Sequence, residues 1–319
     1  MSTSEFGDLA LSEVADEGLA GWLADVRRAS VPANRVLGVH RVRAAARGRD
    51  GSRPAGPQLP FVRNLVIGDL PARLYRSSPS PRPLIIYLHG GGFTIGSLDS
   101  HDGICRLLAR TAGVAVLALD YRLAPEHPGP AAVDDVTLAF ASAAGNLEML
   151  GGDPSSGVGL AGDSAGGALA VLAAVRLRDA GTPAATLLLA YPNGDMALSQ
   201  PSVSAQGHGW GLEEDDLRWF VEQWVPDPGH RADPAVSPLQ ADLHGLPPAV
   251  IATAGHDPLH DEGEALARAI EAGGAEVRYR PHPGLVHGFL GLGQVSPAAA
   301  RATDELFRDY GELARGPAQ

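Results

Sequence analysis

The sequence has one cysteine, no lysine and no long hydrophobic run. A single thiol can form neither an intrachain disulfide nor a thiolate metal cluster, so packing alone must hold the fold. No stretch approaches the roughly 18 apolar residues of a membrane span, and the acidic N-terminus lacks the apolar core of a secretory signal. These absences predict a soluble, cytoplasmic protein without a membrane partner.

Positive charge is also scarce. The 25 arginines are outnumbered by 37 acidic residues, which gives a formal net charge of −12, and no basic cluster occurs. Because a phosphate backbone requires a basic face, nucleic acid is excluded as a partner. A content of 45% hydrophobic and 19% charged residues is typical of a globular protein with a sizeable core.

Eight short β-type runs lie between residues 61 and 281, and longer helical patterns separate the later ones. The central runs are continuously apolar, as expected for strands that helices cover on both faces. The alternation predicts an α/β fold with a mostly parallel eight-stranded sheet, in a single domain over residues 1–319. The runs are FVRNLVIG, PARLYRS, PLIIYLH, VAVLALD, VGLAG, TLLLA, PAVIATAG and EVRYRP.

Two regions fall outside this alternation. Residues 1–45 have a helical pattern but precede the sheet, and residues 196–230 interrupt it with one amphipathic helix. An insertion at the end of a sheet often forms a lid, so we expect both regions to fold together as a helical cap. The Arg-, Gly- and Pro-rich residues 44–60 are predicted to be a loop between the first region and the sheet.

The segment VGLAGDSAGGALAVLAAV places Ser164 in a Gly-x-Ser-x-Gly turn between a strand and a helix. Flanking glycines allow the sharp turn of a nucleophile elbow, and the helix N-terminus behind it offers free N–H groups. Asp163 within the turn could tune the elbow or serve as an ordinary turn residue. The alternative for Ser164 itself is that it merely caps the helix.

A serine nucleophile requires a base and an orienting acid. In enzymes with such an elbow, the acid follows the serine in the chain and the histidine base follows the acid. Asp257 comes just after a strand, and His287 lies in a glycine-flanked loop before the last helix. Each has a rival interpretation. Asp257 precedes a proline and could be a helix N-cap, while His282 competes with His287 for the role of base.

Two other groups of residues could suggest a metal site or a catalytic site. His256 and His260 have a metal-like spacing, but a proline interrupts the helix that such a site requires, and the expected site therefore contains no metal. Arg122, Glu126 and His127 of YRLAPEH fit a structural ion pair and turn better than catalytic roles.

Five motifs together resemble one family. They are HGGGF (89–93), DYRLAPEHPGPAA (120–132), DPSSGVGLAGDSAGG (153–167), SPLQADLHGLPPAVIATAGHDPLHDEG (237–263) and GLVHGF (284–289). In this order they resemble the hormone-sensitive-lipase-like family of α/β-hydrolases, the bacterial carboxylesterases with an HGGG motif. The chain departs from the family pattern at Gly129, Ala168 and His256, where Phe, Asn and a large residue are usual.

The resemblance implies a serine carboxylesterase that acts on short- to medium-chain acyl esters without a cofactor. It assigns Ser164 as nucleophile, His287 as base and Asp257 as its acid. Gly91, Gly92 and Ala165 would supply the N–H groups of the oxyanion hole. A small ester is the implied partner, and a homodimer is compatible with the family. An amidase or acyltransferase would use the same residues.

Proteins of this fold that have other functions differ from the esterases at the triad itself. Hormone receptors of this fold have lost the histidine, and the dehydratases replace the serine with threonine. This chain retains both residues, which counts against either function.

Overall fold

The computed structural model describes residues 13–29, 31–51 and 55–316. Its centre is an eight-stranded sheet with strand order β1-β2-β4-β3-β5-β6-β7-β8. The strands are β1 (Phe61–Ile67), β2 (Leu70–Arg76), β3 (Leu84–Leu88), β4 (Ala115–Leu119), β5 (Val158–Asp163), β6 (Leu187–Ala190), β7 (Ala249–His256) and β8 (Val277–Val286).

The pairing of the strands confirms the predicted mostly parallel sheet. β2 runs antiparallel to both of its neighbours, β1 and β4, and all remaining pairs are parallel. Every residue of β3, β4, β5 and β6 is buried, which explains why their sequences are continuously apolar. Parallel strands deliver the loops at their carboxyl ends to one edge of the sheet.

Helices cover both faces of this sheet. The described helices are α1 (Glu17–Arg28), α2 (Asn34–Asp50), α3 (Asp102–Thr111), α4 (Ala131–Gly145), α5 (Ala165–Asp179), α6 (Ser202–Ala205), α7 (Glu214–Trp224), α8 (His260–Ala272) and α9 (Pro297–Arg315). Buried side chains of α4, α5 and α8 form one core layer, and those of α1, α3 and α9 form the other. No helix in the described ranges is long and apolar enough to cross a membrane.

The predicted loop over residues 44–60 is wrong in its first part. α2 continues through residues 44–50, because its alanines and arginines favour the helix strongly enough to tolerate Gly48. Within α2, Gly38 adopts φ 72° and kinks the helix. The remainder of the predicted loop includes residues 52–54, which lie outside the described residues.

The N-terminal helices contact the segment around α7. The Asn34 N–H donates a 2.8 Å hydrogen bond to Asp216. Arg35 forms a bidentate ion pair with Glu222 at 2.8 and 3.0 Å. Val42 packs with Trp219 and Phe220 in a small apolar cluster separate from the two core layers. The described parts of the two regions that the sequence set apart from the sheet therefore lie side by side, whereas residues 1–12 and 30 of the first region lie outside the described residues.

Candidate active site

The loop after β5 places Ser164 at a sharp turn before α5. Ser164 has φ 53° and ψ −123°, a conformation that residues other than glycine rarely adopt. Its N–H donates a 2.9 Å hydrogen bond to the Ala190 carbonyl, which anchors the turn to β6. A side chain at Gly166 would collide with the Leu88 carbonyl, so only glycine allows α5 to start this close to β3. The Gly-x-Ser-x-Gly segment is therefore a tight strand–turn–helix unit.

His287 and Asp257 form a hydrogen-bonded chain with Ser164. Nε2 of His287 lies 3.0 Å from Oγ of Ser164, and its Nδ1 lies 2.8 Å from Oδ2 of Asp257. Asp257 follows β7 and His287 follows β8, so neighbouring parallel strands bring both to the edge where β5 ends. When Nδ1–H donates to the carboxylate, Nε2 is free to accept a proton from the hydroxyl.

The rival interpretation of Asp257 as a helix N-cap is wrong, because Leu259 occupies the N-cap position of α8. Asp257 is fully buried, and its Oδ1 accepts a 2.8 Å hydrogen bond from the Leu259 N–H at the turn into α8. One oxygen therefore fixes the loop while the other meets the histidine. This division of the carboxylate holds the His287 ring in one orientation.

The HGGG loop lines the same cavity as Ser164. Gly91 and Gly92 have φ values of 122° and 56°, and a Cβ on them would collide with the Ile95 carbonyl and the Phe220 ring respectively. In the part of the chain that the structure describes, neither N–H donates a hydrogen bond. The first N–H of α5, on Ala165, has no helical acceptor. Binding of an oxyanion by these three N–H groups stays a prediction.

Asp163 connects the serine turn to the HGGG loop. Its Oδ1 accepts hydrogen bonds from the Tyr87 hydroxyl at 2.7 Å and the Gly90 N–H at 3.0 Å, and lies 3.3 Å from Nε2 of His101. Burial alone raises the pKa of Asp163, but the His101 ring and these donors outweigh it and hold the pKa at about 2. Asp163 is therefore a buried, ionised turn residue that braces the neighbouring loop.

His89 braces the HGGG loop from its other side. Its ring stacks on Tyr121 with centroids 4.3 Å apart, and the Tyr121 hydroxyl donates to the His89 carbonyl at 2.6 Å. Nδ1 lies 2.9 Å from the Gly90 carbonyl. Burial, reinforced by the neighbouring His101 ring, lowers the pKa of His89 to about 4. A neutral imidazole with Nδ1–H as donor fits this environment.

A cavity of about 260 Å³ contacts Ser164 and His287. Most of its wall is apolar and comes from the HGGG loop, the loop after β4 and the segment around α7. The C-terminal half of α2 adds the charged residues Arg43, Arg47 and Asp50. Asn193, which follows β6, is also part of the wall. The apolar side chains are Ala46, Phe93, Ile95, Leu123, Leu212, Leu217, Phe220 and Val221.

The other histidines considered from the sequence lie elsewhere. His282 packs edge-on against Phe289 with ring centroids 5.3 Å apart, and it does not line the cavity. His256 stacks on Trp210 at 4.0 Å, and Nδ1 of His260 meets the adjacent aspartate at 2.9 Å. The fold therefore brings His287, and not His282, to the serine.

The charged residues of YRLAPEH form ion pairs away from Ser164. Arg122 pairs with the buried Asp135 at 2.7 Å, and Glu126 pairs with Arg43 of α2 at 2.7 Å. Arg43 also donates hydrogen bonds to two backbone carbonyls, those of Thr94 and Ala124. These contacts are structural, as the sequence favoured.

The departure at Gly129 is explained by a residue far away in the chain. The Trp224 ring stacks on Phe93 with centroids 4.4 Å apart, and a Cβ on Gly129 would lie 2.8 Å from that indole. The Gly129 N–H donates to the Trp224 carbonyl at 2.9 Å. Trp224 thus fills the space beside Gly129, a replacement that no local pattern could reveal.

Comparison with known proteins identifies the family of this chain. A family model described as the alpha/beta hydrolase fold matches residues 85–291. The chain belongs to this family. It is 44% identical over 248 residues to the carboxylic ester hydrolase LipN of Mycobacterium tuberculosis, covering 75% of this chain and 66% of LipN. It is 42% identical over 243 residues to the carboxylesterase NlhH of the same species, covering 74% of this chain and 76% of NlhH.

Solved structures give the same result. An alpha/beta hydrolase enzyme from the metagenome of Lake Arreo is 35% identical with a TM-score of 0.85, covering 94% of this chain and 96% of that one. A hyperthermophilic esterase from the archaeon Pyrobaculum calidifontis is 32% identical with a TM-score of 0.86, covering 93% and 98%. The predicted family, the bacterial carboxylesterases with an HGGG motif, and the enzyme class of carboxylic ester hydrolases are confirmed.

Proposed function

We propose that this α/β-hydrolase is a serine carboxylesterase that hydrolyses short- to medium-chain acyl esters through an acyl-enzyme. The observation that carries the proposal is the chain of hydrogen bonds from Ser164 through His287 to Asp257, with distances of 3.0 and 2.8 Å. This chain borders a cavity that also exposes the HGGG loop. A nucleophile, a base and N–H donors therefore meet where an ester carbonyl would bind.

In the first half-reaction, Nε2 of His287 takes the Ser164 proton as Oγ attacks the ester carbonyl. The carboxylate partner of the histidine stabilises the resulting imidazolium. The carbonyl oxygen becomes an oxyanion and accepts hydrogen bonds from the N–H groups of Gly91, Gly92 and Ala165. The bond to the alcohol oxygen then breaks while His287 returns the proton to it, and the acyl group stays on Ser164.

In the second half-reaction, water replaces the alcohol. His287 removes a proton from the water, whose oxygen attacks the acyl carbonyl and regenerates the oxyanion. Collapse of this intermediate breaks the bond to Ser164 Oγ, which takes back the proton. The products are one carboxylic acid and one alcohol, and no cofactor or metal takes part in any step.

The size of the cavity supports a limit on the acyl chain. Its volume of about 260 Å³ lies just below the range of roughly 300–1,000 Å³ that pockets for drug-sized ligands occupy. Phe93, Leu123 and Phe220 bound it with apolar surface that suits a small acyl group. A long acyl chain would have to displace these side chains.

The proposal includes a cap made of about residues 1–45 and 196–230. Phe220 of the second region packs directly on Gly92, so this region lies against the HGGG loop. Arg43 of the first region clamps the same side through its hydrogen bond to the Thr94 carbonyl at 2.8 Å. Such a cap would exclude water and shape the substrate pocket.

The test is hydrolysis of p-nitrophenyl esters with acyl chains of two to sixteen carbons, using wild type and Ser164→Ala. We expect wild type to prefer acyl chains of two to six carbons, and Ser164→Ala to lose roughly 10⁴-fold or more in kcat. Equal rates in both proteins would refute the serine mechanism. A wild-type preference for sixteen carbons would refute the limit on chain length.

A further inference from the structure

Asn193 is a buried amide beside the proposed nucleophile. Its exposure is only 2%, and its backbone N–H donates a 3.2 Å hydrogen bond to the Ser164 carbonyl. It lines the cavity that contains Ser164 and His287. The residue therefore lies in the wall of the pocket, next to the backbone of Ser164.

The side chain of Asn193 has no hydrogen-bond partner among the described residues, although the loop around it is tightly held. The next N–H, on Gly194, donates to the buried Glu262 at 2.9 Å. The carboxylate of Asp195 accepts the N–H groups of Ala197 and Ser199, each at 2.9 Å. Because these contacts fix the backbone on the C-terminal side of Asn193, its amide is held in place while its own polar atoms stay unpaired.

The other buried polar side chains that line the cavity already have hydrogen-bond partners. The Ser100 hydroxyl donates to the Ser97 carbonyl at 2.9 Å, and His101 meets Asp163 at 3.3 Å. Ser164 and His287 are engaged with each other. The Asn193 amide faces the cavity, so its hydrogen-bond partner comes from what the cavity holds, which is water in the free protein and substrate in the complex.

We propose that Asn193 is a specificity-determining residue that selects small esters bearing a hydroxyl group near the ester bond. The inference rests on the proposed function and names a substrate class for it. An amide offers one acceptor oxygen and two N–H donors, and a hydroxyl can satisfy either end. A site built to hydrogen-bond a substrate hydroxyl discriminates strongly against the analogue that lacks it, whereas an apolar wall cannot.

The experiment compares matched ester pairs that differ by hydroxyl against hydrogen or methyl. On the acyl side the pair is ethyl 3-hydroxybutanoate and ethyl butanoate, and on the alcohol side it is 2-hydroxyethyl butanoate and propyl butanoate. Hydrolysis is followed by pH-stat titration, and each kcat/KM is divided by the alkaline hydrolysis rate of that ester. The measured quantity is the ratio of hydroxylated to plain ester in each pair.

We expect wild type to favour the hydroxylated member of at least one pair, and Asn193→Leu to lower that ratio about five- to tenfold. Leu212→Ile, in the same apolar wall, is the control for a change of shape and should leave the ratio within about twofold, because it removes no hydrogen bond. If Asn193→Leu does not fold, Asn193→Ala replaces it, and the wild-type preference alone still tests the inference.

The outcomes separate the two proposals. Ser164-dependent hydrolysis with the same ratio in wild type and the Asn193 variant would overturn the role of Asn193 and leave the esterase intact. Absence of hydrolysis of all four esters by folded wild type would instead count against the proposed function. A lower ratio in one pair supports the role and identifies the side of the ester that Asn193 contacts.

Discussion

Two regions of the molecule are stabilised by different interactions. One is the sheet edge that carries Ser164, and the other is the pair of helices α2 and α7 that lie over it. At the edge, backbone segments approach each other so closely that glycine is required, and buried carboxylates fix the loops. Over it, a small apolar cluster and half-exposed ion pairs such as Arg35–Glu222 join α2 to α7, and Trp224 at the end of α7 is buried in the main core. Exposed ion pairs contribute at most about 1 kcal/mol, so substitutions in these pairs should leave the sheet edge intact.

This difference assigns separate tasks to the two regions. A reaction that depends on distances near 3 Å requires the rigid arrangement at the sheet edge. We expect the choice of substrate to depend on side chains such as Phe220, which line the cavity from the covering helices. Substitutions at the edge should therefore change kcat, whereas substitutions in α2 and α7 should change KM and the preferred acyl chain.

The largest effect is expected for the base. His287→Ala removes the proton acceptor that lies 3.0 Å from Ser164 Oγ, and should lower kcat for p-nitrophenyl butyrate by roughly 10⁴-fold or more. His282→Ala is the matched control, because His282 lies earlier, within β8, and does not line the cavity. We expect its kcat to stay within about threefold of wild type. The reverse pattern would show that the base is His282.

The next effect is expected in the HGGG loop. Gly92→Ala forces a Cβ into the Phe220 ring and should displace the N–H groups, which lowers kcat by about 10²–10³-fold. Gly181→Ala is the control, since Gly181 also has a positive φ, of 75°, but no atom lies near its absent Cβ. It carries the same backbone strain far from the cavity. Equal losses of kcat in both variants would show that strain alone, and not the oxyanion loop, is responsible.

As the pH falls, the sheet edge should lose stability at a higher pH than the covering helices do. His89 stays neutral in the folded protein down to its pKa of about 4, whereas the unfolded chain takes up a proton near pH 6.5. Stability from this residue is thus complete above pH 6.5 and is lost as the pH falls towards 4, by up to about 3 kcal/mol. Urea unfolding of wild type and His89→Asn between pH 7 and 4 should show a smaller decline in the variant. A steeper decline would contradict the assignment.

The smallest effect is expected in the covering helices. Phe220→Ala enlarges the cavity beside Gly92 and should raise kcat/KM for p-nitrophenyl decanoate relative to butyrate by about three- to tenfold. The kcat for butyrate should fall less than for Gly92→Ala, because Ser164 and His287 keep their contacts. A loss of kcat as large as that of Gly92→Ala would erase the distinction between the two regions.

Much of the sheet edge was predictable because its requirements are local. The continuous apolar runs place the eight strands, and the glycines around Ser164 and after His89 mark the tight turns. The chain order of Ser164, Asp257 and His287 then follows from loops at the ends of parallel strands. None of these inferences requires knowledge of which side chains meet across the molecule.

The rest depends on contacts between distant segments. Nothing near Gly129 indicates that Trp224 takes the place of a neighbouring side chain. The helix over residues 44–50 was missed because its arginines and glycine resemble a linker, although alanine and arginine also favour helices. The unpaired amide of Asn193 becomes visible only when its neighbours are known, since an asparagine after a strand is ordinary in sequence.

The central claim is that Ser164 is the nucleophile, and covalent labelling tests it most directly. Diethyl p-nitrophenyl phosphate would react at Ser164 Oγ, which displaces p-nitrophenolate and keeps the diethylphosphoryl group. We expect one phosphoryl group per active chain, loss of ester hydrolysis in parallel with labelling, and a modified peptide that contains Ser164 by mass spectrometry. A label on another residue, or full activity in the completely labelled protein, would contradict the account.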